Sequence, residues 1–181
     1  MLGTDANRAL ILAKGTTPAK PDVSFNAIGS LTIGGSVEYA LIASGHDGEQ
    51  PAGKTPTSTA NLGDALNPDA GIGSVTIGHD FYHTSILAGT NDNDGQSAGR
   101  FNMGVNYDTQ SVGAATRIAQ LGPVVIKGAI LDDYSSTGDS GFEAERIAKI
   151  TAGGTVLFQH GNALTFFDPN HFVFAQEIPV S

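Results

Sequence analysis

The chain contains no cysteine, and charged residues make up only 15% of it. Without cysteine it can form no disulfide bond, no thiolate metal site and no cysteine nucleophile. Because Lys, Arg and Glu are scarce, few residues are left to build the exposed faces of helices. The 24 glycines among 181 residues suit turns between strands instead. The composition therefore predicts a single domain that is mainly β.

Basic residues are also few, with 9 Lys and Arg against 18 Asp and Glu and a formal net charge of -9. An acidic chain is repelled by nucleic-acid phosphates and by anionic membrane surfaces. The apolar run at residues 9–13 is too short to span a membrane and lacks the basic segment that precedes a signal peptide core. We therefore expect no nucleic-acid partner and no membrane insertion, and the chain is interpreted as a mature product or an excised fragment.

A short pattern recurs four times along the chain. Residues 28–34 (Ile-Gly-Ser-Leu-Thr-Ile-Gly) align with residues 72–78, then with 121–126 and, more loosely, with 147–153. Apolar residues occupy the first, fourth and sixth places of each copy. The fourth and sixth places are two apart, which predicts a strand with one buried face, and the neighbouring glycines predict corners.

The alignment of the first two copies continues beyond this strand and predicts a second one. Three pairs keep one constant offset: Val37 with Phe81, Ile42 with Ile86, and Gly45 with Gly89. Polar segments follow at residues 46–53 and 91–99, so long loops should leave the same corner of each copy. Residues 9–15 resemble residues 40–45, as if the chain began partway through an earlier copy.

Strands repeated at a fixed offset predict an all-β, parallel β-solenoid of about four irregular coils, β-helix-like, with long loops on one side. A β-sandwich of short alternating strands is the alternative. We divide the single domain at residues 1–181 into a partial first coil, three repeats, and a terminal coil with a cap. Their bounds are 1–24, 25–70, 71–120, 121–146 and 147–181. The open ends of such a stack predict self-association.

Three segments carry a resemblance to a known group of proteins: residues 72–78, residues 85–89 with the Asp/Asn/Gly loop after them, and residues 121–128. They resemble the uncharacterised Gly-rich β-strand repeat regions of very large secreted proteins of planctomycetes and related bacteria, over roughly residues 25–155. The resemblance implies export and a cell-surface or matrix role, with no catalytic residues to carry over. We expect a non-catalytic structural or adhesive module, extracellular or at the cell surface, whose partner is a glycan or another surface protein.

Four consecutive side chains on one predicted loop, Asn91, Asp92, Asn93 and Asp94, offer the oxygen ligands that calcium prefers. The remaining positions of an EF-hand are missing, and so is the Gly-Gly-x-Gly-x-Asp nonapeptide of calcium-binding β-rolls. Asp and Asn also favour turns without any ion. We expect no cofactor other than calcium, and the alternative at this loop is a solvated turn.

Carboxylates support a different hypothesis, in which the protein is a polysaccharide-degrading β-helix enzyme. Glu143, Glu145 and Asp133 would act as acid or base, and Lys127 and Arg146 would stabilise charge. Glu143 and Glu145 are two residues apart, so a strand would place them on one face about 6–7 Å apart. Alternating charges on an exposed strand face have the same pattern, and we expect no catalysis.

A histidine pair, His79 and His83, has the four-residue spacing of a zinc site on a helix. On a strand the two residues would lie about 13 Å apart, too far to share one ion. The pattern therefore predicts two exposed histidines.

A row of threonines is the last pattern. Thr32, Thr76 and Thr151 occupy the same outward place in three copies, and Val125 occupies it in the other. Such a row could bind glycans or a flat crystalline surface, which makes a glycan-binding module a further alternative. Threonine is also an ordinary residue of exposed strands.

Overall fold

The computed structural model describes residues 1–4, 9–15, 25–46, 67–90, 117–131, 140–162, 165–168 and 171–177. In these ranges all regular structure is β-strand, and they contain no helix of the length and apolarity that a membrane span requires. In chain order the strands are β1 (Ala9–Ala13), β2 (Asn26–Ile28), β3 (Leu31–Ile33), β4 (Val37–Ser44), β5 (Gly71–Ile72), β6 (Val75–Ile77), β7 (Phe81–Ala88), β8 (Gln120–Leu121), β9 (Val124–Ile126), β10 (Ile130–Leu131), β11 (Ser140–Ala144), β12 (Arg146–Ile147), β13 (Lys149–Ala152), β14 (Thr155–Gln159), β15 (Thr165–Asp168) and β16 (His171–Glu177).

The strands form three sheets, which the chain enters in rotation. Sheet 1 has the order β1-β4-β7-β11-β16-β15, with β10 also paired to β7; sheet 2 has the order β2-β5-β8-β12; sheet 3 has the order β3-β6-β9-β13-β14. From β2 onward the chain passes through sheets 2, 3 and 1 before it returns to sheet 2, and we call each such passage a layer. Paired strands are parallel except β14 on β13 and β15 on β16, which are antiparallel.

The aligned sequence segments pair residue for residue in these sheets. First-place residues form one row in sheet 2 and fourth-place residues form one row in sheet 3. The rows are Ile28, Ile72, Leu121, Ile147 and Leu31, Val75, Val124, Ile150. In sheet 1, Ala9 of β1 pairs with Ala40, as the resemblance of the N-terminal segment predicts. This register confirms the all-β class, and it turns a constant sequence offset into rows of similar side chains.

Side chains from all three sheets meet in one core. Sheet 1 contributes Phe81 and Phe142, whose rings stack with centroids 5.0 Å apart at 19°. Both rings are fully buried, and so are the row residues of sheets 2 and 3 in the second and later layers. Burying one such side chain stabilises a fold by about 1.5–3 kcal/mol, so the core is the main source of stability.

Glycine lets successive layers approach closely where sheet 2 leads into sheet 3. A Cβ on Gly122 would lie 1.8 Å from the carbonyl oxygen of Gly73, and a Cβ on Gly73 would lie 2.1 Å from that of Gly29. Neither Gly73 nor Gly122 has a positive φ. Glycine is therefore required at these two positions by space, because any side chain would force the layers apart.

The two ends of the stack differ. At the C-terminal end, β14 pairs with the edge of β13 and β15 with the edge of β16, both antiparallel. At the N-terminal end, β1, β2 and β3 are the outermost strands, and no other strand in the part of the chain that the structure describes pairs with their outer edges. Among the described strands, an antiparallel strand therefore stops the parallel pairing in sheets 1 and 3 at the C-terminal end. Within the same set, no sheet has such a strand at the N-terminal end.

Candidate functional site

Sheet 1 is interrupted at one register position in successive layers. Tyr39 and His83 occupy this position in β4 and β7, and both have positive φ, 47° and 41°. The pairs on either side are in register, Glu38 with Tyr82 and Ala40 with Thr84. In the next layer β10 ends and β11 begins at the same place, because Leu131 pairs with Tyr82 and Gly141 with Ser85. Strand pairing in sheet 1 is therefore irregular at this level, which we call the bulge.

Aromatic stacking and hydroxyl hydrogen bonds hold the bulge. The rings of Tyr39 and His83 stack at 4.9 Å and 20°, and Tyr82 packs edge-on against His83 at 4.1 Å. Thr84 Oγ1 donates to the carbonyl of Tyr82 at 2.8 Å and accepts the N–H of Ala40 at 3.3 Å. A bulky residue at positive φ costs roughly 1–2 kcal/mol, which these contacts offset.

The predicted exposure of the two histidines is half right. His79 is exposed in the turn before β7, but His83 is completely buried beneath the tyrosine rings. The expectation failed because strand periodicity predicts which face a residue lies on, whereas the bulge turns His83 against neighbouring rings. Among the residues that the structure describes, no group of three His, Asp or Glu could hold a metal ion.

Glu143 and Glu145 are buried, so the expectation of an exposed charged face is wrong. They are 2% and 8% exposed. Glu143 lies in β11 beside Leu87, on the face of sheet 1 that points away from the core, and that face is itself buried around Leu41 and Leu87. Ser85, on the neighbouring strand, is also buried, and its hydroxyl has no hydrogen-bond partner within the part of the chain that the structure describes. These buried groups therefore lack the contact with solvent that side chains on an exposed charged face would have.

Three carboxylates bind main-chain amides where the chain passes from sheet 1 into sheet 2, a region that we call the entry corner. Glu145 Oε2 accepts the N–H of Ala119 at 2.6 Å, just before β8 begins. Asp69 Oδ1 accepts the N–H of Arg117 at 3.0 Å. Glu177 Oε1 accepts the N–H of Ile147, in β12, at 2.8 Å. A buried amide without a strand partner is costly, so each carboxylate replaces a missing ladder bond.

Further polar side chains complete the entry corner. Ser44 Oγ donates to the carbonyl of Ala70 at 2.7 Å. His46 Nε2 lies 3.1 Å from the carbonyl of Thr90, so this nitrogen carries the proton that it donates. Gly45 and Gly89, in equivalent places, have φ of 93° and 62°, a conformation that few other residues adopt. These hydrogen bonds of the entry corner join side chains to the main chain, which indicates a structural network.

At the last layer, Glu177 also contacts the turn after β14. Its carboxylate lies 2.6 Å from His160 Nδ1 and accepts the N–H of Gly161 at 3.2 Å. Burial raises the pKa of Glu177, but the hydrogen bonds from His160, Ile147 and Gly161 and the charge of His160 outweigh it. The pKa therefore lies below the ordinary value, so the ionised form stabilises the fold.

Glu177→Gln should lower the free energy of unfolding by about 1–3 kcal/mol at neutral pH, because charge-assisted bonds to two amides and an imidazole are weakened. A depressed pKa gives stability that is present above the ordinary value of 4.5 and is lost as pH falls through the folded-state value. Urea unfolding of both proteins at pH 7 and near pH 3 should therefore show a difference that shrinks at the lower pH. Glu38→Gln, at a half-buried carboxylate of sheet 1, is the control; an equal loss at both pH values would contradict the assignment.

The other residues of the enzyme hypothesis are not assembled. Lys127 follows β9 at the exit from sheet 3, whereas Arg146 begins β12 in sheet 2, and both are exposed. Glu145 lies at the entry corner, one residue before Arg146. The structure thus puts Lys127 and Glu145 at different corners, and Asp133 falls outside the described residues.

The calcium candidates Asn91, Asp92, Asn93 and Asp94 also fall outside the described residues. The threonine row does not: Thr32, Thr76, Val125 and Thr151 pair in register in sheet 3. Val125 interrupts the row as predicted, and Thr151 Oγ1 donates to the carbonyl of Val124 at 3.3 Å. One of the three hydroxyls is therefore already bonded to the main chain.

The roles of Asp69, Glu177 and Tyr39 were not expected from the sequence. A signal existed for two of them. Asp69 ends the turn Asn67-Pro68-Asp69 before an aligned copy, and Tyr39 falls with His83 at the constant offset of the repeat. Glu177 has no such signal, because its role depends on the neighbouring layer.

Comparison with known proteins gives no relative from which a function could be transferred. No protein-family model matches the chain, and no curated protein or solved structure matches it.

Proposed function

We propose that the chain is a parallel β-solenoid that serves as a non-catalytic structural or adhesive module of a secreted or cell-surface protein. The rotation of the chain through three sheets supports the solenoid, as does the parallel pairing of equivalent repeat residues. A β-sandwich consists of antiparallel sheets, whereas the antiparallel pairs here occur at the C-terminal end of the stack.

The main support for a non-catalytic role is that the carboxylates of the entry corner bind main-chain amides. A general acid or base must reach the substrate and exchange a proton with it. Glu145, one half of the pair that the enzyme hypothesis requires, is buried and holds the N–H of Ala119 at 2.6 Å. Asp69 and Glu177 are used in the same way. These side chains have a sufficient structural reason to be present.

The test combines an activity screen with unfolding measurements. We expect the protein to release no new reducing ends and no unsaturated products from a panel of acidic and neutral polysaccharides. Glu145→Ala should lower the free energy of unfolding by about 1–3 kcal/mol, because the buried amide of Ala119 loses its acceptor. Glu145→Gln, which keeps an acceptor oxygen, should restore part of it. Polysaccharide cleavage that disappears in Glu143→Gln or Glu145→Gln would overturn the proposal in favour of a hydrolase or lyase.

A glycan-binding module is the second candidate, and the bulge favours it. Tyr39 and Tyr82 are half-buried and lie edge to face with ring centroids 5.5 Å apart. Such rings combine an apolar surface with a polar hydroxyl, which suits binding to the flat face of a sugar. Retention of the protein on one of the immobilised polysaccharides, lost in Tyr82→Ala, would select this candidate.

The partner in either case would be a glycan or another surface protein. Calcium at residues 91–94 stays a prediction. A melting temperature that rises with calcium and falls with chelator would support it, since an ion that binds only the folded state stabilises that state.

A further inference from the structure

One residue from each of four neighbouring segments forms an outward row across sheet 1, immediately beside the bulge. The members, which we call the outer row, are Leu2, Glu38, Tyr82 and Leu131. Val37 and Phe81, one position before Glu38 and Tyr82, are fully buried in the core. Because successive side chains of a strand point to opposite faces, the outer row points away from the core.

The outer row combines apolar and aromatic groups that solvent can reach. Leu2 and Leu131 at its two ends are 72% and 46% exposed, and Tyr82 between them is half-buried. Tyr39 lies edge to face with Tyr82, and one face of the Tyr39 ring stacks on His83 while the residue stays partly exposed. Tyrosine rings beside exposed leucines form an amphipathic surface of the kind that packs on the face of a sugar ring.

The bulge brings Tyr39 to this surface. Tyr39 follows the outward Glu38, so regular alternation would turn it towards the core. Its ring instead contacts Tyr82 of the outer row, and Ala40 occupies the buried position. Tyr39 and His83 both have positive φ, and bulky residues held in such a strained conformation are concentrated at ligand-binding sites. The strain therefore points to a ligand at this place.

A carboxylate stands in the middle of this apolar surface. Glu38 is half-buried between Leu2 and Tyr82, and within the described part of the chain its side chain has no hydrogen bond and no ion pair. The carboxylates of the entry corner, in contrast, bind main-chain amides. A partly desolvated carboxylate is stabilised by a cation, and the net charge of -9 attracts cations to the whole molecule. Charge therefore favours a cationic ligand over a neutral or acidic one.

We propose that the outer row binds a linear polysaccharide with free amino groups, such as a chain of glucosamine units. Sugar rings pack on Tyr82 and Leu131, and a protonated amino group pairs with Glu38 and approaches the tyrosine rings. Neighbouring strands are about 4.7–4.9 Å apart, close to the length of one sugar unit in an extended chain, so the polysaccharide runs across the strands, along the stack. The inference rests on the glycan-binding module proposed above and names the class of its ligand.

Isothermal titration calorimetry with three probes near pH 6 tests the ligand class. Glucosamine hexamer carries both rings and charge, its fully N-acetylated counterpart carries the rings alone, and a lysine hexapeptide carries the charge alone. We expect the glucosamine hexamer to bind at least tenfold more tightly than either of the others, because each of them loses one kind of contact. Equal binding of the N-acetylated hexamer would overturn the inference but leave the glycan-binding module standing. Equal binding of the lysine peptide would overturn both, since the site would then recognise a basic protein segment.

Glu38→Gln tests the residue that is proposed to recognise the amino group. The substitution keeps the size of the side chain and removes its charge, so affinity for the glucosamine hexamer should fall about tenfold. Val125→Lys, on sheet 3, changes the net charge by the same amount and is the matched control, with no loss expected. Equal losses in the two variants would show that only overall charge matters and would overturn the inference, as would unchanged binding by Glu38→Gln. Far-UV circular dichroism confirms folding, and the polysaccharide cleavage screen does not depend on the outer row, so the non-catalytic proposal fails or stands separately.

Discussion

Gly122→Ala is expected to lower the free energy of unfolding by about 3 kcal/mol, although the substitution adds a single methyl group. Its Cβ would lie 1.8 Å from the carbonyl oxygen of Gly73 and 2.7 Å from the carbonyl carbon. These are main-chain atoms, so relief requires two layers to separate rather than a side chain to rotate. For a chain of this size the loss corresponds to a fall in melting temperature of roughly 6–12 °C.

Gly29→Ala is the matched control for this prediction. Gly29 is in the same row as Gly73 and Gly122, but no atom that the structure describes approaches a Cβ built there. Alanine at this position should be neutral or stabilise by up to about 1 kcal/mol, because it restricts the unfolded chain. Equal losses in Gly122→Ala and Gly29→Ala would show that close packing between layers is not what selects glycine.

Phe142→Ala is expected to cost about 3–5 kcal/mol, the typical effect of removing a fully buried phenylalanine. Phe142 stacks on Phe81 from the neighbouring layer, and both rings are completely buried. The loss therefore has two parts. The substitution removes the favourable burial of one ring, and it leaves a cavity that the rigid strands around it can fill only in part. Denaturant unfolding of the variant and the parent protein measures it.

Leu131→Ala and a double substitution serve as controls for the aromatic pair. Leu131 is 46% exposed at the end of β10, so its truncation should cost less than about 0.5 kcal/mol. The combined Phe81→Ala and Phe142→Ala substitutions should cost less than the sum of the two single ones, because both rings line one cavity. Strict additivity would contradict the stacked geometry.

Much of the fold could be predicted because repeated sequence and parallel stacking are related in a simple way. When layers have equal lengths between two sheets, residues at a constant offset must lie above one another. Ile28, Ile72 and Leu121 therefore became neighbours in sheet 2, as their alignment predicts. The same logic placed Val125 inside the threonine row.

The candidate site was much less predictable. Glu143 and Glu145 have the alternation of an exposed strand, but sheet 1 is buried on both of its faces at this level, so the pattern does not reveal their environment. His83 was expected in solvent and lies under tyrosine rings, because a positive φ at the bulge changes the direction of its side chain. Neither effect has a signature in the spacing of the residues.

By itself, the sequence determined the β class, the rows of apolar residues and the places where glycine separates the strands, since all three depend on short-range alternation and a constant offset. Only the tertiary structure decided which polar groups are buried and what they bind. Asp69, Glu145 and Glu177 reach amides of residues that are far away along the chain. The partner of a buried carboxylate is set by the layer beside it, and that neighbour exists only after the chain has folded.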